Sequence, residues 1–444
     1  MIALSSHFTY GRLIRFAYPA MLTVLSTSLY GVVDGVIVAQ LVGKTPFAAL
    51  NLIWPFVAVL GATGFMLGAG GSALVSKTLG EGHANRARSI FSLLTYFTIA
   101  LALLLGLVGM CVVRPVAAFL GAQGEMLDLC QEYASILLLM LPAFALQVYF
   151  QSLLVTAERP KMGMWITLAA GVLNMVLDVL FMGVWHWGLS GAAWATALGQ
   201  CVGGFVPLAY FFYRRRHREL PLRLGRCRWQ GGVVLRACSN GLSEFVIQIA
   251  IAMVSMLYMY QLIRSNGENG VAAYGVMMYF AFVFCALYIG FGMSVTPVMG
   301  YHYGAQNHAE MHNVLRRSVI LVFLLSVAVE VLAQVLARPL CAFFIPGDPE
   351  LLDYTTRAFR IYGIMYLYTG FNILASAIFT ALNNGVISAL ISLMRTMGFE
   401  ALCVLSIPVL FGIDSIWWSV DVAEGLTLLL AVWLVWHYRK RYNY

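Results

Sequence analysis

The chain has 444 residues, of which 61% are hydrophobic and only 10% are charged. A soluble domain carries about 25% charged residues, so this composition excludes an ordinary soluble enzyme and indicates a polytopic membrane protein. The formal net charge of +8 does not point to nucleic acid as a partner. The excess of Lys and Arg lies mostly in short connections between apolar runs, where it reports membrane topology and contact with lipid headgroups.

A membrane-spanning helix needs about 20 apolar residues. The sequence contains twelve such runs, which predicts an all-α membrane protein with twelve transmembrane helices. Transmembrane barrels are not expected, because their strands are short and alternate in polarity. The predicted spans are 13–42, 46–76, 89–113, 131–156, 162–185, 188–213, 232–264, 271–300, 314–337, 358–382, 386–412 and 414–438.

Basic residues accumulate on one side of these spans. That side carries the pairs or clusters near residues 12–15, 77–88, 159–161, 214–228, 316–317 and 439–441. The opposite connections hold fewer basic residues, mixed with acids. The positive-inside rule therefore places both termini in the cytoplasm. We expect a multi-pass protein of the bacterial inner (plasma) membrane.

An internal repeat divides the chain. The pattern Arg-Pro-x-x-Ala-Phe occurs at 114–119 and again at 338–343, which is 224 residues later. The same offset relates Gly80 to Gly304. Six predicted helices in each half give both halves one orientation, so we expect two parallel six-helix repeats around a central cavity. The predicted domains are an N-terminal bundle (1–213), an Arg-rich cytoplasmic linker (214–231) and a C-terminal bundle (232–444).

Four polar residues of the first half interrupt apolar spans and are missing from the second. They are Asp34, Asn174, Asp178 and Thr196. Their repeat partners are Ser255 (with the offset reduced to 221 near the first span), Gly398, Leu402 and Val420. A carboxylate at the centre of a bilayer costs roughly 2.5–3.5 kcal/mol on insertion scales. Because the second copy of the scaffold does without this set, we expect a function confined to the first bundle.

The four residues can meet in the outer half of that bundle. A rise of 1.5 Å per residue puts Asp34 roughly 31 Å and Asp178 roughly 24 Å from the cytoplasmic end, with Thr196 roughly 12 Å from the outer end. Asn174 and Asp178 are four residues apart and share one helix face. Such oxygen ligands suit Na⁺, and two close carboxylates can also share a proton. The alternative is simple hydrogen bonding between helices.

The second half carries other intramembrane charges. Glu244 lies near mid-depth and is a candidate contact for a cationic substrate. Arg395 and Glu424 fall at similar depth on antiparallel helices, which favours a structural ion pair. Met and aromatic side chains adapt to varied apolar and cationic ligands. The further candidates for a substrate cavity are Tyr30, Met253, Met256, Met278 and Tyr279.

The sequence contains no Walker A motif, dinucleotide fingerprint or nucleophile elbow. We therefore expect neither ATP use nor catalysis, and no cofactor beyond a coupling ion. The expected partners are a small organic substrate and membrane lipids, with the protein acting as a monomer.

The chain resembles the MATE (multidrug and toxic compound extrusion) transporters, and it is similar to their DinF-like bacterial branch. The resemblance rests on IRFAYPAMLTVLSTSLYGVVDGVIVAQLVG, LGEGHANRARSIF, LNMVLDVLFM and LSGAAWATALGQ, in that order. It implies that Asp34, Asn174, Asp178 and Thr196 form a cation site, together with the Ala192 carbonyl. Glu244 resembles an acidic residue of NorM-type members. Their second acid is missing here, since the corresponding span reads GFNILASAIFTALNNG.

These observations predict a secondary antiporter that exports amphipathic or cationic organic compounds in exchange for H⁺ or Na⁺ by alternating access. The alternative is a flippase for a lipid-linked or polysaccharide precursor, which would need a basic cavity to hold phosphate. A membrane receptor or scaffold is a third class. The duplicated bundles with unequal buried acids argue against it.

Overall fold

The computed structural model describes residues 2–42, 44–213, 222–345 and 349–443, and these contain helices without a β-strand. The α-helices are α1 (Tyr10–Leu41), α2 (Lys44–Gly80), α3 (Ala84–Phe119), α4 (Glu125–Leu139), α5 (Leu141–Thr156), α6 (Pro160–Asp178), α7 (Gly188–Tyr213), α8 (Gly231–Gly304), α9 (His308–Phe344), α10 (Pro349–Gly363), α11 (Tyr366–Ala381), α12 (Gly385–Leu393), α13 (Ala401–Phe411) and α14 (Ser419–Tyr442). Two π-helical segments, Val179–Val184 and Met394–Glu400, extend α6 and join α12 to α13. A 3₁₀ turn, Ile413–Trp418, precedes α14.

The predicted all-α polytopic fold is confirmed. In the described part of the chain, ten helical segments are long and apolar enough to cross a membrane. The number rises to twelve if two bent pairs each count as one span: α4 with α5, bent by 57°, and α10 with α11, bent by 42°. Several helices extend beyond their predicted apolar runs because helix continues into the polar flanks. The predicted 314–337, for example, is the middle of α9.

The seventh and eighth predicted spans are two arms of one helical element rather than helices separated by a loop. The backbone is helical throughout α8, which has 74 residues. Yet the rings of Tyr258 and Tyr274 stack with centroids 4.7 Å apart. Sixteen residues of straight helix would separate them by roughly 24 Å. The stretch therefore folds back between these tyrosines, and Gly231–Leu262 and Ala273–Gly304 are the two membrane-length arms.

Structural features recur at the offset of the sequence repeat. The break between α4 and α5 at Met140 corresponds to the break between α10 and α11 at Ile364. Both halves also have an exposed ion pair near the start of the bent pair, Arg114–Asp128 at 3.1 Å and Arg338–Asp353 at 3.4 Å, in which the arginines are 224 and the aspartates 225 residues apart. The linker prediction falls partly on residues 214–221, which lie outside the described residues, and the domain boundaries stay a prediction.

The two halves meet through glycines of α2 and α8. A Cβ atom at Gly80 would lie 1.9 Å from the carbonyl oxygen of Tyr301, and one at Gly304 would lie 2.0 Å from that of Lys77. Gly80 and Gly304 are repeat partners. The contact is therefore reciprocal, and backbone packs directly on backbone. Only glycine fits this approach, which closes the end of the molecule that carries both termini.

The first residues of the chain strengthen the same end. We call residues 2–9 the N-terminal strap. The backbone N–H of Leu4 donates to Glu158 of the first half at 2.7 Å, and that of Phe8 donates to Glu310 of the second half at 2.8 Å. The Phe8 ring is fully buried in a core formed with α8, α9 and α11. The strap therefore ties the two halves together.

Candidate cation site

Asn174 and Asp178 occupy the last turn of α6. Pro160 at the start of this helix has no N–H to leave unpaired. After Lys161 the helix is apolar except for Thr167, Asn174 and Asp178, which are all buried. Asn174 is 2% exposed and Asp178 is fully buried. The α6 helix packs between α1 and α7, so this polar face is turned into the first bundle rather than toward lipid.

Asp34 approaches from α1. Close contact between α1 and α6 is allowed by Gly171, where a Cβ atom would lie 3.0 Å from the Tyr30 ring. One turn further along α1, the carboxyl groups of Asp34 and Asp178 are direct electrostatic neighbours. Tyr133 of α4 is fully buried and neighbours both carboxyl groups. The structure thus brings together the two acids that the sequence placed at similar depth.

Thr196 completes the group from α7, which lies against α6 through Gly199. A Cβ atom at Gly199 would lie 3.1 Å from the Asn174 Cβ. Helical threonines elsewhere in the chain, such as Thr95 and Thr98, donate to the carbonyl one turn earlier. The Thr196 hydroxyl does not, although it is buried. Ala192, one turn before Thr196, is fully buried on the same helix face.

Apart from the side-chain contact between the Asp34 and Asp178 carboxyl groups, the polar atoms of this group have no hydrogen-bond partner among the described residues. The orphaned atoms are Asp34 Oδ1, both carboxylate oxygens of Asp178, both amide atoms of Asn174 and the Thr196 hydroxyl. A buried polar group without a partner costs roughly 1–3 kcal/mol, and a charged one costs more. Asn174 could donate to Asp178 one turn away, but the two remain apart. Buried oxygen atoms that accept no hydrogen bond from the protein are suited to bind a small hard cation or a proton.

The backbone next to Asp178 is irregular. α6 ends at Asp178 and continues as the π-helical segment Val179–Val184. A π-helical turn widens the helix and shifts its backbone hydrogen bonds, and such turns are frequent at functional sites. The sequence gives no signal for this segment, because its residues are ordinary apolar ones.

In the second bundle the predicted pair of Arg395 and Glu424 is confirmed. The Arg395 Nε and Nη2 atoms both lie 2.7 Å from Glu424 Oε1. Asn372 of α11 donates to Glu424 Oε2 at 2.6 Å and to its backbone carbonyl at 3.0 Å. Glu244 and Glu400 are electrostatic neighbours of Arg395. Arg395 therefore stands among several carboxylates and already has a close partner.

The predicted cavity residues lie at several places. Met253 and Met256 are 48% and 55% exposed on one arm of α8. Met278, on the other arm, packs partly buried against the second core. Tyr279 stacks on Phe344 and points its hydroxyl at α1, 3.8 Å from where a Cβ atom of Gly35 would lie. Tyr30 accepts a hydrogen bond from Gln147 Nε2 at 3.3 Å.

Sequence reasoning missed three residues near the first site. Tyr133 lies near the start of a predicted span, where aromatic residues are common, so its sequence position did not mark it. Gln200 is 5% exposed, its Oε1 is unpaired, and it lies one turn beyond Thr196 on the same face of α7. That four-residue spacing was a usable signal. Gln147 needed tertiary structure, since only the packing of α5 brings it to Tyr30.

Over the described ranges, no three His, Cys, Asp or Glu side chains converge as a group that could hold a metal ion. The oxygen atoms of the candidate site belong to two carboxylates, an amide and a hydroxyl, with the Ala192 carbonyl on the same face of α7 as Thr196. Such a ligand set suits a monovalent hard cation or a proton better than zinc or copper.

The sequence and the fold both resemble known transporters. A relative in Staphylococcus haemolyticus, the multidrug export protein MepA, is 22% identical over 430 residues, which cover 97% of this chain and 94% of MepA. A solved MATE structure in complex with MaL6 superposes with a TM-score of 0.90 at 20% identity, covering 98% and 97% of the two chains. A MOP superfamily transporter from Pyrococcus furiosus gives the same TM-score, identity and coverage.

The MatE family model matches residues 19–180 and again residues 244–404. The two matches fall on the two halves of the duplication and together span well over half of the chain. The first includes Asp34, Asn174 and Asp178, and the second includes Glu244 and Arg395. The chain therefore belongs to the MatE family, the multidrug and toxic compound extrusion transporters.

Proposed function

We propose that this transporter exports amphipathic organic cations across the bacterial inner membrane in exchange for H⁺ or Na⁺ that binds at Asp34, Asn174, Asp178 and Thr196. The observation that carries the proposal is the set of buried oxygen atoms on α1, α6 and α7 to which no N–H or O–H group of the described residues donates. The coupling ion is a second substrate, and no further cofactor is required. We expect a monomer in contact with lipid, with both termini in the cytoplasm.

Coupling requires that ion binding changes a movable element. α1 has the features of one. Pro19 interrupts its backbone hydrogen bonds, and Thr23 and Thr27 donate to carbonyls one turn earlier, a pattern that bends helices. Its outer half is only loosely covered, with Leu29 44% exposed. Neutralising Asp34 and Asp178 removes their mutual repulsion and draws α1 toward α6.

The substrate side of the exchange follows from the geometry of α1. Tyr279 of the second half contacts α1 at Gly35, next to Asp34. A movement of α1 toward α6 therefore alters the surface that the first half presents to the second. An ion that enters from outside narrows the space between the two halves, and the organic cation is released outward. Release of the ion to the cytoplasm returns the transporter to its starting state.

A flippase that holds phosphate would need a free basic group at depth. Arg395 is paired with Glu424 at 2.7 Å and has Glu244 and Glu400 as further neighbours. Its charge is therefore already compensated. This environment favours a cationic over a phosphorylated substrate, with Glu244 as the candidate contact.

Transport by reconstituted protein tests the proposal. Proteoliposomes are loaded with a fluorescent dye cation, and a pH gradient and an Na⁺ gradient are imposed separately. Asp34→Asn and Asp178→Asn should each reduce gradient-driven dye movement at least tenfold while the protein elutes and melts like wild type. Asp128→Asn, at an exposed ion pair, is the matched control and should transport normally. Full transport by Asp178→Asn would overturn the site assignment.

A further inference from the structure

A second group of unpartnered acids lies in the other bundle, at the break between α10 and α11. Asp421 of α14 is 6% exposed, and neither of its carboxylate oxygens has a hydrogen-bond partner in the described structure. Its electrostatic neighbours include Glu330 of α9. The backbone N–H of Met365, the residue before α11, faces Asp421 but donates to the Tyr362 carbonyl at 3.4 Å.

One carboxylate oxygen of Glu330 accepts a hydrogen bond, and the other accepts none from the described residues. Its Oε1 accepts from Gln334 Nε2 at 2.7 Å, and the same Nε2 also donates to the Arg360 carbonyl at 2.8 Å in the last turn of α10. Its Oε2 is buried and unpaired, and lies 3.7 Å from where a Cβ atom of Gly363 would be. The glycine thus leaves room beside the free oxygen.

Tyr366 supplies an independent polar group. It is fully buried, and its hydroxyl has no partner in the described part of the chain. Its electrostatic neighbours include both Glu330 and Asp421. Its backbone is fixed, because the Tyr288 hydroxyl donates to the Tyr366 carbonyl at 3.0 Å. The Tyr366 hydroxyl thus adds a third buried oxygen atom to the unpaired oxygens of Glu330 and Asp421.

The dipoles at the C-terminal end of α10 and the N-terminal end of α11 favour a cation beside Glu330. Gly363 is the last residue of α10, where the helix dipole is negative. A bare carboxylate such as Glu330 is disfavoured at that end, whereas a cation is favoured. Asp421 lies at the N-terminal, positive end of α11, which tolerates its charge. A cation between the two carboxylates would compensate Glu330 and leave Asp421 at the end that suits it.

The first bundle is an internal control for this site. By the offset of 224 residues, Glu330 corresponds to Gly106 and Asp421 to Ala197. A Cβ atom at Gly106 would lie only 2.5 Å from the Leu138 carbonyl oxygen, so there the break is closed by direct backbone packing. The bend of the chain therefore does not require acids, and the second bundle has them for another reason.

The charged and titratable groups around the pair do not supply the missing counter-charge. Arg395, the nearby guanidinium, is bound to Glu424, which is itself a neighbour of Asp421. The remaining groups that face the pair are uncharged or acidic. They are Tyr258 and Tyr288 of α8, Tyr366 of α11 and Glu424 of α14.

We propose that Glu330 and Asp421, with the Tyr366 hydroxyl, form a second cation site that takes a proton or Na⁺ at the break between α10 and α11. This goes beyond the proposed function, which assigns coupling to the first bundle. Glu330 is roughly 33 Å along α9 from its cytoplasmic end. The site thus lies in the outer half of its bundle, as the first site does in its own.

The experiment uses purified full-length protein in which the first site is removed by Asp34→Asn with Asp178→Asn. Binding of radioactive Na⁺ is measured at alkaline pH. In Na⁺-free buffer, infrared titration follows the carbonyl band of protonated carboxylic acids. We expect this background to retain one bound Na⁺ or one titrating carboxylic acid band. Adding Asp421→Asn or Glu330→Gln should weaken the signal at least tenfold. Asp414→Asn, an exposed acid just before α14, should leave it unchanged.

The two arms distinguish the ligands. Sodium binding identifies Na⁺, and a titrating band without sodium binding identifies a proton. A background without either signal, or a signal that survives the combined Asp421→Asn and Glu330→Gln changes, overturns the proposal. Failure of the first site shows separately, as unchanged binding when Asp34→Asn and Asp178→Asn are introduced into wild type. Because Glu330→Gln keeps the bond to Gln334, it provides a folded variant if Asp421→Asn does not assemble.

Discussion

Arg395 and Glu424 form a buried ion pair with N–O distances of 2.7 Å, and Asn372 donates to the other carboxylate oxygen at 2.6 Å. The Arg395 side chain is 19% exposed and that of Glu424 is 5% exposed. The pair joins the π-helical segment Met394–Glu400 to α14. It therefore fixes the irregular backbone that follows α12.

Removing one partner of this pair should destabilise the protein strongly. Arg395→Ala leaves Glu424 buried without its counter-charge, and the expected loss is about 3–5 kcal/mol in the free energy of unfolding. Denaturant unfolding in detergent, followed by tryptophan fluorescence, measures it. Arg338→Ala is the matched control, because its pair with Asp353 is 67% and 64% exposed. That change should cost at most about 1 kcal/mol. Equal losses for both variants would contradict a structural role of the buried pair.

The Thr196 hydroxyl should contribute to the affinity for the ion and not to the stability of the fold. Thr196→Val replaces it by the residue that the second bundle has at the equivalent position, Val420. The hydroxyl makes no hydrogen bond to the described protein residues, so its loss should hardly change the melting temperature. Losing one oxygen ligand should weaken ion binding about tenfold. The measurement is the Na⁺ or H⁺ concentration for half-maximal transport. A large drop in melting temperature with unchanged ion dependence would favour a packing role.

Much of this fold follows from simple sequence properties. Runs of apolar residues predicted the membrane helices, and Arg395 with Glu424 was predicted as a pair because antiparallel helices place them at similar depth. Asn174 and Asp178 could be assigned to one face from their spacing alone. These predictions use only the helical rise and period, which are the same in every helix.

The remaining features depend on packing between distant segments. Nothing local marks the π-helical turn after Asp178. The cluster at Glu330 and Asp421 forms only because α9 and α14 both pack against α11. The strap was also missed, since residues 2–9 are a short mixture of apolar and polar residues without a recognisable motif. Its structure depends on acceptors that lie about 150 and 300 residues away. A single sequence provides no signal for such pairings.

The glycine contact between the halves can be tested with two Gly→Ala substitutions that should change the free energy of unfolding in opposite directions. Gly80→Ala places a Cβ atom 1.9 Å from the Tyr301 carbonyl oxygen, so the helices must separate, at a cost of about 1–3 kcal/mol. Gly425→Ala in α14 meets no atom within 4 Å and should stabilise by up to about 1 kcal/mol through helix propensity. Thermal unfolding measures both. A stabilising Gly80→Ala would show that the halves do not pack this closely.

The N-terminal strap should loosen when Glu310 is removed. Its Oε1 accepts from the Phe8 N–H and from Asn313 Nδ2, both at 2.8 Å, and its Oε2 lies 2.6 Å from His7 Nδ1. In Glu310→Ala the buried Phe8 N–H loses its acceptor, at a cost of about 1–3 kcal/mol. Amide hydrogen exchange of residues 4–9 should accelerate about tenfold or more, while exchange in α4 stays unchanged. Glu350→Ala, an exposed acid at the start of α10, is the control. Because the strap ties Glu158 of the first half to Glu310 of the second, the same variant should also weaken the connection between the halves at the end that carries both termini. Unaltered exchange in the strap would mean that Phe8 is held by its ring alone.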